Sequence, residues 1–425
     1  MREDLLHFVW MYRKYPINGL VTSTGDRINV ESTGIHNHLS GPDFFNAKVQ
    51  LNGQLWAGNV EIHVKSSDWY AHNHQEDINY DNVILHVVWE DDVSVFRKDG
   101  STIPTLSLKK YIPLKLLESY QTLFDSRNYK FINCENEFDT VDVFMRKNWL
   151  DRLFVERLEE KSVFINQLLE ETNNDWEQVL FIMLLKTFGT KINKDVFVEL
   201  GKNIDFSIIR KLHAKPLELE SLLMGQARFL EDDQEADSYH KSLRKEYTFL
   251  KHKYQLNQPY KTPEFFRLRP PNFPTIRLAQ LSAVYSTNNN LFHLIIEQEY
   301  PDISEVFNLG TSEYWETHYN FGKTSKKSIK KTSNSFLDLL MINTIIPLKF
   351  CYQRYKGNVD NELLFRMMSA IKKEENSIIA NYRKLNIPIK DAKESQSYIQ
   401  LYSEYCIKDK CLECAVGASL MNIKG

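Results

Sequence analysis

Hydrophobic and polar positions follow two different rhythms along this chain. "EDLLHFVWMYRKY", from Glu3, places apolar residues at helical spacing. The runs "GDRINVESTG", "DFFNAKVQLNG" and "GNVEIHVKS" then alternate with period two between Gly and Asn breaks, which predicts short strands. "WYAHNHQEDINYDN" is polar and reads as a helix-length segment or loop, whereas "VILHVVWE" is almost continuously apolar, as a buried central strand is. "DGSTIPTLSL" predicts a turn and an edge-like strand. From about residue 140 the period lengthens. "DVFMRKNWLDRLFVERLEEKSVFINQLLEE", "DWEQVLFIMLLKTFG" and "SFLDLLMINTIIPLKFCYQ" carry apolar stripes that predict helices. Pro270, Pro271 and Pro274 break one helix and allow another to start near Thr275. Gly225, inside "ESLLMGQARFLEDD", marks a close helix contact or a break.

These rhythms predict an α+β chain with a mixed sheet and flanking helices over residues 1–113, a connector over 114–139, and a large helical domain over 140–425. A chain of 425 residues calls for two or more packed units, and 42% hydrophobic with 26% charged residues is a folding composition. The net charge of −3 excludes a global basic footprint, so any nucleic-acid contact must come from local patches. The first residues lack the long apolar core and small-residue cleavage site of a signal peptide, and no apolar run approaches the roughly 18 residues of a membrane span. Five cysteines do not suggest a disulfide framework. The expected location is cytoplasmic, with no membrane partner.

The candidate chemistry gathers around residues 60–65. As a strand, this segment puts Val60, Ile62 and Val64 on one face and Glu61, His63 and Lys65 on the other. Upstream, Gly41-Pro42 fixes a turn and Asp43 opens the next strand. Asp43 and Glu61 lie 18 residues apart, a separation that suits neighbouring antiparallel strands joined at "LNGQLWAG". Two carboxylates brought together in this way could hold Mg²⁺ or Mn²⁺, with His63 or Lys65 orienting water or stabilising phosphate charge. The alternative is a solvated sheet face, with Asp43 serving as a turn cap.

The order of helix, three strands, crossover and buried strand resembles the core of the PD-(D/E)xK, restriction-endonuclease-like nucleases. "GPD" supplies Pro42 and Asp43, and "EIH" supplies Glu61, with His63 where that superfamily has lysine. The resemblance implies a metal-dependent phosphodiesterase acting on DNA or RNA. The missing lysine leaves open a non-catalytic scaffold that binds nucleic acid or protein. "GPDF", "GNVEIHVKSSDW", "NVILHVVWE" and the closing cysteines also resemble an uncharacterised bacterial family of unknown function, which assigns no chemistry.

"HNH" occurs twice, as His36–His38 and His72–His74, and such pairs could chelate zinc in a third reading, a zinc-dependent hydrolase. His86 reads as a hydrogen-bonded core histidine. Around a nuclease site, His38, Ser66 and Ser67 would contact the nucleic acid and Trp69 would stack on a base, while Asp68 caps a helix. Lys326, Lys327, Lys330 and Lys331 in "GKTSKKSIKKTS" form a phosphate-neutralising cluster or a solvated loop. Cys406, Cys411 and Cys414 have C-x4-C-x2-C spacing, suited to an iron–sulfur cluster or zinc if Cys134, Cys351 or an outside group supplies the fourth ligand. Three ordinary cysteines are the alternative.

Overall fold

The computed structural model describes residues 2–124, 130–231, 237–257 and 261–421; residues 125–129 of the expected connector lie outside them. The chain forms two compact units, residues 1–149 with 401–425 and residues 150–400. This differs from a division at 113–140, because the end of the chain returns to the first unit. Phe131 stacks on Tyr402 at 4.8 Å between ring centroids, and Trp149 meets Tyr405 edge-on at 5.3 Å. Helical periodicity reveals such a segment but not the partner it packs against.

The first unit opens with α1 (Glu3–Met11), which buries Leu5, Leu6, Phe8, Val9 and Trp10. A mixed sheet follows: β1 (Leu20–Val21), β2 (Arg27–Ser32), β3 (Ile35–His36), β4 (Phe44–Leu51), β5 (Gln54–Lys65), β6 (Val83–Glu90) and β7 (Thr105–Ser107). Its order is β1-β2-β4-β5-β6-β7, with β3 paired to β4. β4 and β5 form the expected hairpin. Asn52 and Gly53 both have positive φ, 48° and 88°, as a two-residue turn with matching twist requires. The hairpin pairs Leu51 with Gln54 and runs up to Phe44 opposite Val60, with a shift in register between Phe44 and Ala47. β6 then pairs parallel to β5, Glu61 opposite His86 and His63 opposite Val88.

A parallel pair needs a crossover, here α2 (Asp68–Ala71) and two 3-10 turns, His74–Glu76 and Ile78–Tyr80. This short crossover covers the side of β5 that was expected to be wet. Trp69 and Tyr80 pack with Val83, Val95 and Ile103, and Glu61 and His63 are left only 4% and 2% exposed. The solvated-face reading is therefore corrected: both faces of β5 are buried at the site. β6 is buried from Val83 to Val88, as its apolar run predicts.

The second unit is helical. Helix Trp176–Phe188 is buried on nearly every side, so its sequence is apolar all round. The segment Asn334–Tyr355 has the length and composition to cross a membrane (mean hydropathy 1.3), but 72% of that window is buried inside the fold. Pro270–Asn272 forms a 3-10 turn, and the next helix starts at Pro274. Gly225 is a close contact: a Cβ there would lie 2.1 Å from the Tyr247 ring. Gly225→Ala should cost on the order of 1–3 kcal/mol, the range for overpacked cores, and urea unfolding of the full chain would show it as a lowered midpoint.

Candidate metal centre

The site is built where the start of β4 meets β5. Asn37 organises the turn that leads into it, its side-chain amide donating to the carbonyls of Leu39, Ser40 and Pro42 at 3.1, 3.2 and 3.1 Å. The backbone N–H of Asp43 then donates to Glu61 Oε2 at 3.1 Å, and the N–H of Ile62 donates to Asp43 Oδ2 at 2.9 Å. Each carboxylate thus grips the other's strand. The two acids converge as their spacing and the hairpin predict. His7, on α1, adds Nε2 at 3.3 Å from Asp43 Oδ2.

Imidazoles complete the cluster. Glu61 Oε1 lies 3.4 Å from His63 Nε2 and 3.3 Å from His74 Nε2. His63 Nε2 is also 3.2 Å from His72 Nδ1. One ring nitrogen from each of His63, His72 and His74 falls within 4.8 Å of the others, the spacing at which a single ion can be shared. Behind them, His63 Nδ1 and His86 Nε2 are 2.8 Å apart. When His63 presents a bare Nε2, its Nδ1 carries the proton and donates to His86, the arrangement by which a backing group fixes a metal ligand's tautomer.

Electrostatics follow from burial. Burial, reinforced by the Asp43 charge, raises the pKa of Glu61 to about 9, although the Asp43 N–H opposes this. Burial and then the neighbouring His86, His74 and His72 push His63 down to about 2, and burial chiefly takes His86 to about 3. Both rings are neutral at physiological pH, the form a metal requires. Burial lowers His74 as well. Burial also pulls His7 down, but the Asp43 carboxylate outweighs it and the net shift is upward. Glu3 is raised to about 7 by burial and by Asp43.

Several expected participants have other roles. Lys65 stands on the exposed end of β5, with no hydrogen bond or ion pair to its ammonium among the described residues; its backbone N–H donates to Asp68 Oδ2 at 2.9 Å. Asp68 is the first residue of α2 and ties back to the end of β5, while the N-cap residue Ser67 makes no side-chain capping bond, so the expected helix cap is corrected. The nucleic-acid contacts expected of Ser66 and Trp69 are corrected. Ser66 is buried, donating to Asp92 Oδ1 (3.0 Å) and the Val93 carbonyl (2.8 Å), and Trp69 is 1% exposed within the crossover core. Ser67 donates to Asp92 Oδ2 at 2.8 Å. His36 stacks on Phe44, with exposed His38 at 4.3 Å between centroids; the metal-spaced group uses the second "HNH" and not the first.

In the second unit, Lys330 is buried and donates to the Glu316 and Ser328 carbonyls, which removes it from any phosphate. Lys327 pairs with Glu316 at 3.1 Å, and Lys326 and Lys331 are exposed. His86 is the hydrogen-bonded core histidine anticipated, placed as the support of His63. Sequence reasoning missed His7 and Glu3, whose only signal is their place on one face of α1.

A family model described as a protein of unknown function (DUF2851) matches residues 3–377. The chain belongs to this family. The match takes in every residue of the cluster as well as Cys134, and it ends before Cys406. No curated protein and no solved structure matches the chain.

Titration of Glu61 links the site to stability. Its folded-state pKa lies above the unfolded value of 4.5, so its contribution is full below that pH and is lost as pH rises toward about 9. Asp43 from β4's mouth, His7 from α1, His63 from β5 and His74 from the crossover all face it. In chelator-treated protein, Glu61→Gln should flatten the fall in melting temperature between about pH 5 and pH 9. Thermal melts of both chains across that range check this, and parallel curves would contradict it.

Proposed function

We propose that this cluster is a metal-dependent hydrolase site whose substrate is a phosphodiester. The observation that carries the proposal is the three imidazole nitrogens within 4.8 Å of one another, flanked by Glu61 Oε1. Imidazole donors suit Zn²⁺ or Fe²⁺, whereas Mg²⁺ and Mn²⁺ favour oxygen. The donor set therefore supports a transition-metal dication on His63, His72, His74 and Glu61 over the Mg²⁺ or Mn²⁺ expected on Asp43 and Glu61 alone. This joins the zinc-hydrolase reading to the nuclease one. A dication there would polarise the bond under attack and activate water.

The chain's own groups divide the remaining work. His86 holds the His63 ring in orientation. Asp43 keeps Oδ2 on the Ile62 N–H, and its Oδ1 has no hydrogen bond among the described residues, which leaves it free to orient water or accept its proton. Support for a phosphodiester comes from the order of elements: a helix, three antiparallel strands (β2, β4, β5), a crossover and a parallel strand. Apart from the short β1 and β3, that order, with an acid after proline entering one strand and another on the next, resembles the core of the PD-(D/E)xK nucleases. Among the described residues no amine pairs with Asp43 or Glu61, which favours a second reading, a metal-stabilised scaffold that binds nucleic acid or protein without cutting it.

Metal analysis of the purified full chain, with a mixed DNA and RNA cleavage panel, separates the readings. One equivalent of zinc, or of iron beyond any that accompanies labile sulfide, lost in His74→Ala, together with cleavage abolished by Glu61→Gln, is expected. Metal bound without cleavage of any substrate would leave the scaffold, and metal unaffected by His74→Ala would overturn the site. His86→Phe should weaken metal binding on the order of 10- to 100-fold, the range for groups that orient a ligand, as competition with a chelator would show.

A further inference from the structure

Four of the five cysteines gather far from the histidines in sequence yet inside the same unit. Cys134, Cys406, Cys411 and Cys414 line a single cavity, together with Asn133 and Tyr405. Cys134, Cys411 and Cys414 are buried, Cys406 is half-buried, and none is in a disulfide. The fourth thiol needed by the C-terminal triplet is thus Cys134, some 270 residues upstream (406 − 134 = 272). Cys351, the other candidate, is in the second unit, where its thiol is buried beside Ser162.

We propose that these four thiolates hold an iron–sulfur cluster. Two features of the cavity argue for a ligand rather than a chance gathering of small apolar side chains. Hydrogen-bond donors are aimed at the sulfurs: Asn133 Nδ2 lies 3.4 Å from Cys411 Sγ, and the Val416 and Gly417 N–H groups and the Trp149 indole face Cys414. Such donors stabilise ligating thiolates and have little to offer a buried neutral thiol. The backbone is also drawn tightly around the triplet. A Cβ on Gly417 would meet the Cys411 carbonyl at 2.1 Å, so only glycine fits there.

Iron–sulfur chemistry fits better than zinc on two counts. The triplet spacing C-x4-C-x2-C is that of plant-type ferredoxins, with the distant cysteine before the triplet here and after it there, whereas zinc modules are built from paired short spacings. The sulfurs also do not form a group within 4.8 Å of one another, as the histidine nitrogens do among the described residues. A single zinc ion draws its sulfurs to bonds of about 2.3 Å, while a cluster spreads them over separate irons. The cluster would tie Cys134 to the returning segment 401–421 and so fasten the two ends of the first unit together.

The test is anaerobic purification of the full chain, followed by reconstitution with ferrous iron and sulfide. Iron and acid-labile sulfide in comparable amounts are expected, with a charge-transfer absorbance in the visible. Labile sulfide and the visible absorbance should fall to background in Cys134→Ser and Cys411→Ser and persist in Cys351→Ser and His74→Ala. Far-UV circular dichroism shows whether each variant is folded, and the wild-type reconstitution stands independently of them. Zinc as the sole metal, iron without labile sulfide, or a colourless wild-type chain after reconstitution would each overturn the proposal. So would a cluster that survives Cys134→Ser in folded protein.

Discussion

Register between β4 and β5 is the constraint on which the rest of the site depends. Asp43 and Glu61 are placed by one hairpin turn at Asn52-Gly53, and each accepts a backbone N–H from the other's strand. A slip of one residue would carry Glu61 and His63 to the opposite face and dismantle the cluster. The carboxylates are thus part of the sheet's own hydrogen bonding before they are anything else. That makes the arrangement rigid, as a site for a small hard-to-place ligand needs to be.

The same arrangement is costly without a ligand. Glu61 and His63 are almost fully buried, and His86 Nδ1 is buried without a hydrogen-bond partner. A carboxyl in such surroundings avoids the desolvation penalty by keeping its proton, and the imidazoles avoid it by staying neutral. A dication would reverse the balance for the acid and make use of the neutral rings. A buried polar group kept in this unstable state is more economically explained by what it binds than by what it contributes to folding.

Much of this was legible in the chain. Period-two runs and the Asn-Gly turn marked the hairpin, the apolar run marked β6, and the 18-residue separation brought Asp43 to Glu61. What could not be read was what lies above β5. Alternation says which residues share a face, but the burial of that face depends on a crossover whose polar sequence, "HNHQEDINYDN", gives no sign that it will pack down on Trp69 and Tyr80. The same ignorance misassigned Ser66 and Trp69, which serve the crossover, and Lys330, which donates to the Glu316 carbonyl and to two oxygens of Ser328. Cys134 was one candidate among several because chain separation carries no distance information once the terminus folds back.

The measurement closest to the central claim is anomalous diffraction from crystals of the full chain, collected across the zinc and iron absorption edges. One peak bounded by His63 Nε2, His72 Nδ1, His74 Nε2 and a Glu61 oxygen, apart from any iron signal at the cysteines, is the predicted result. Ordered side chains at that spot with no anomalous density at either edge, or an ion seated away from all three rings, would contradict the account.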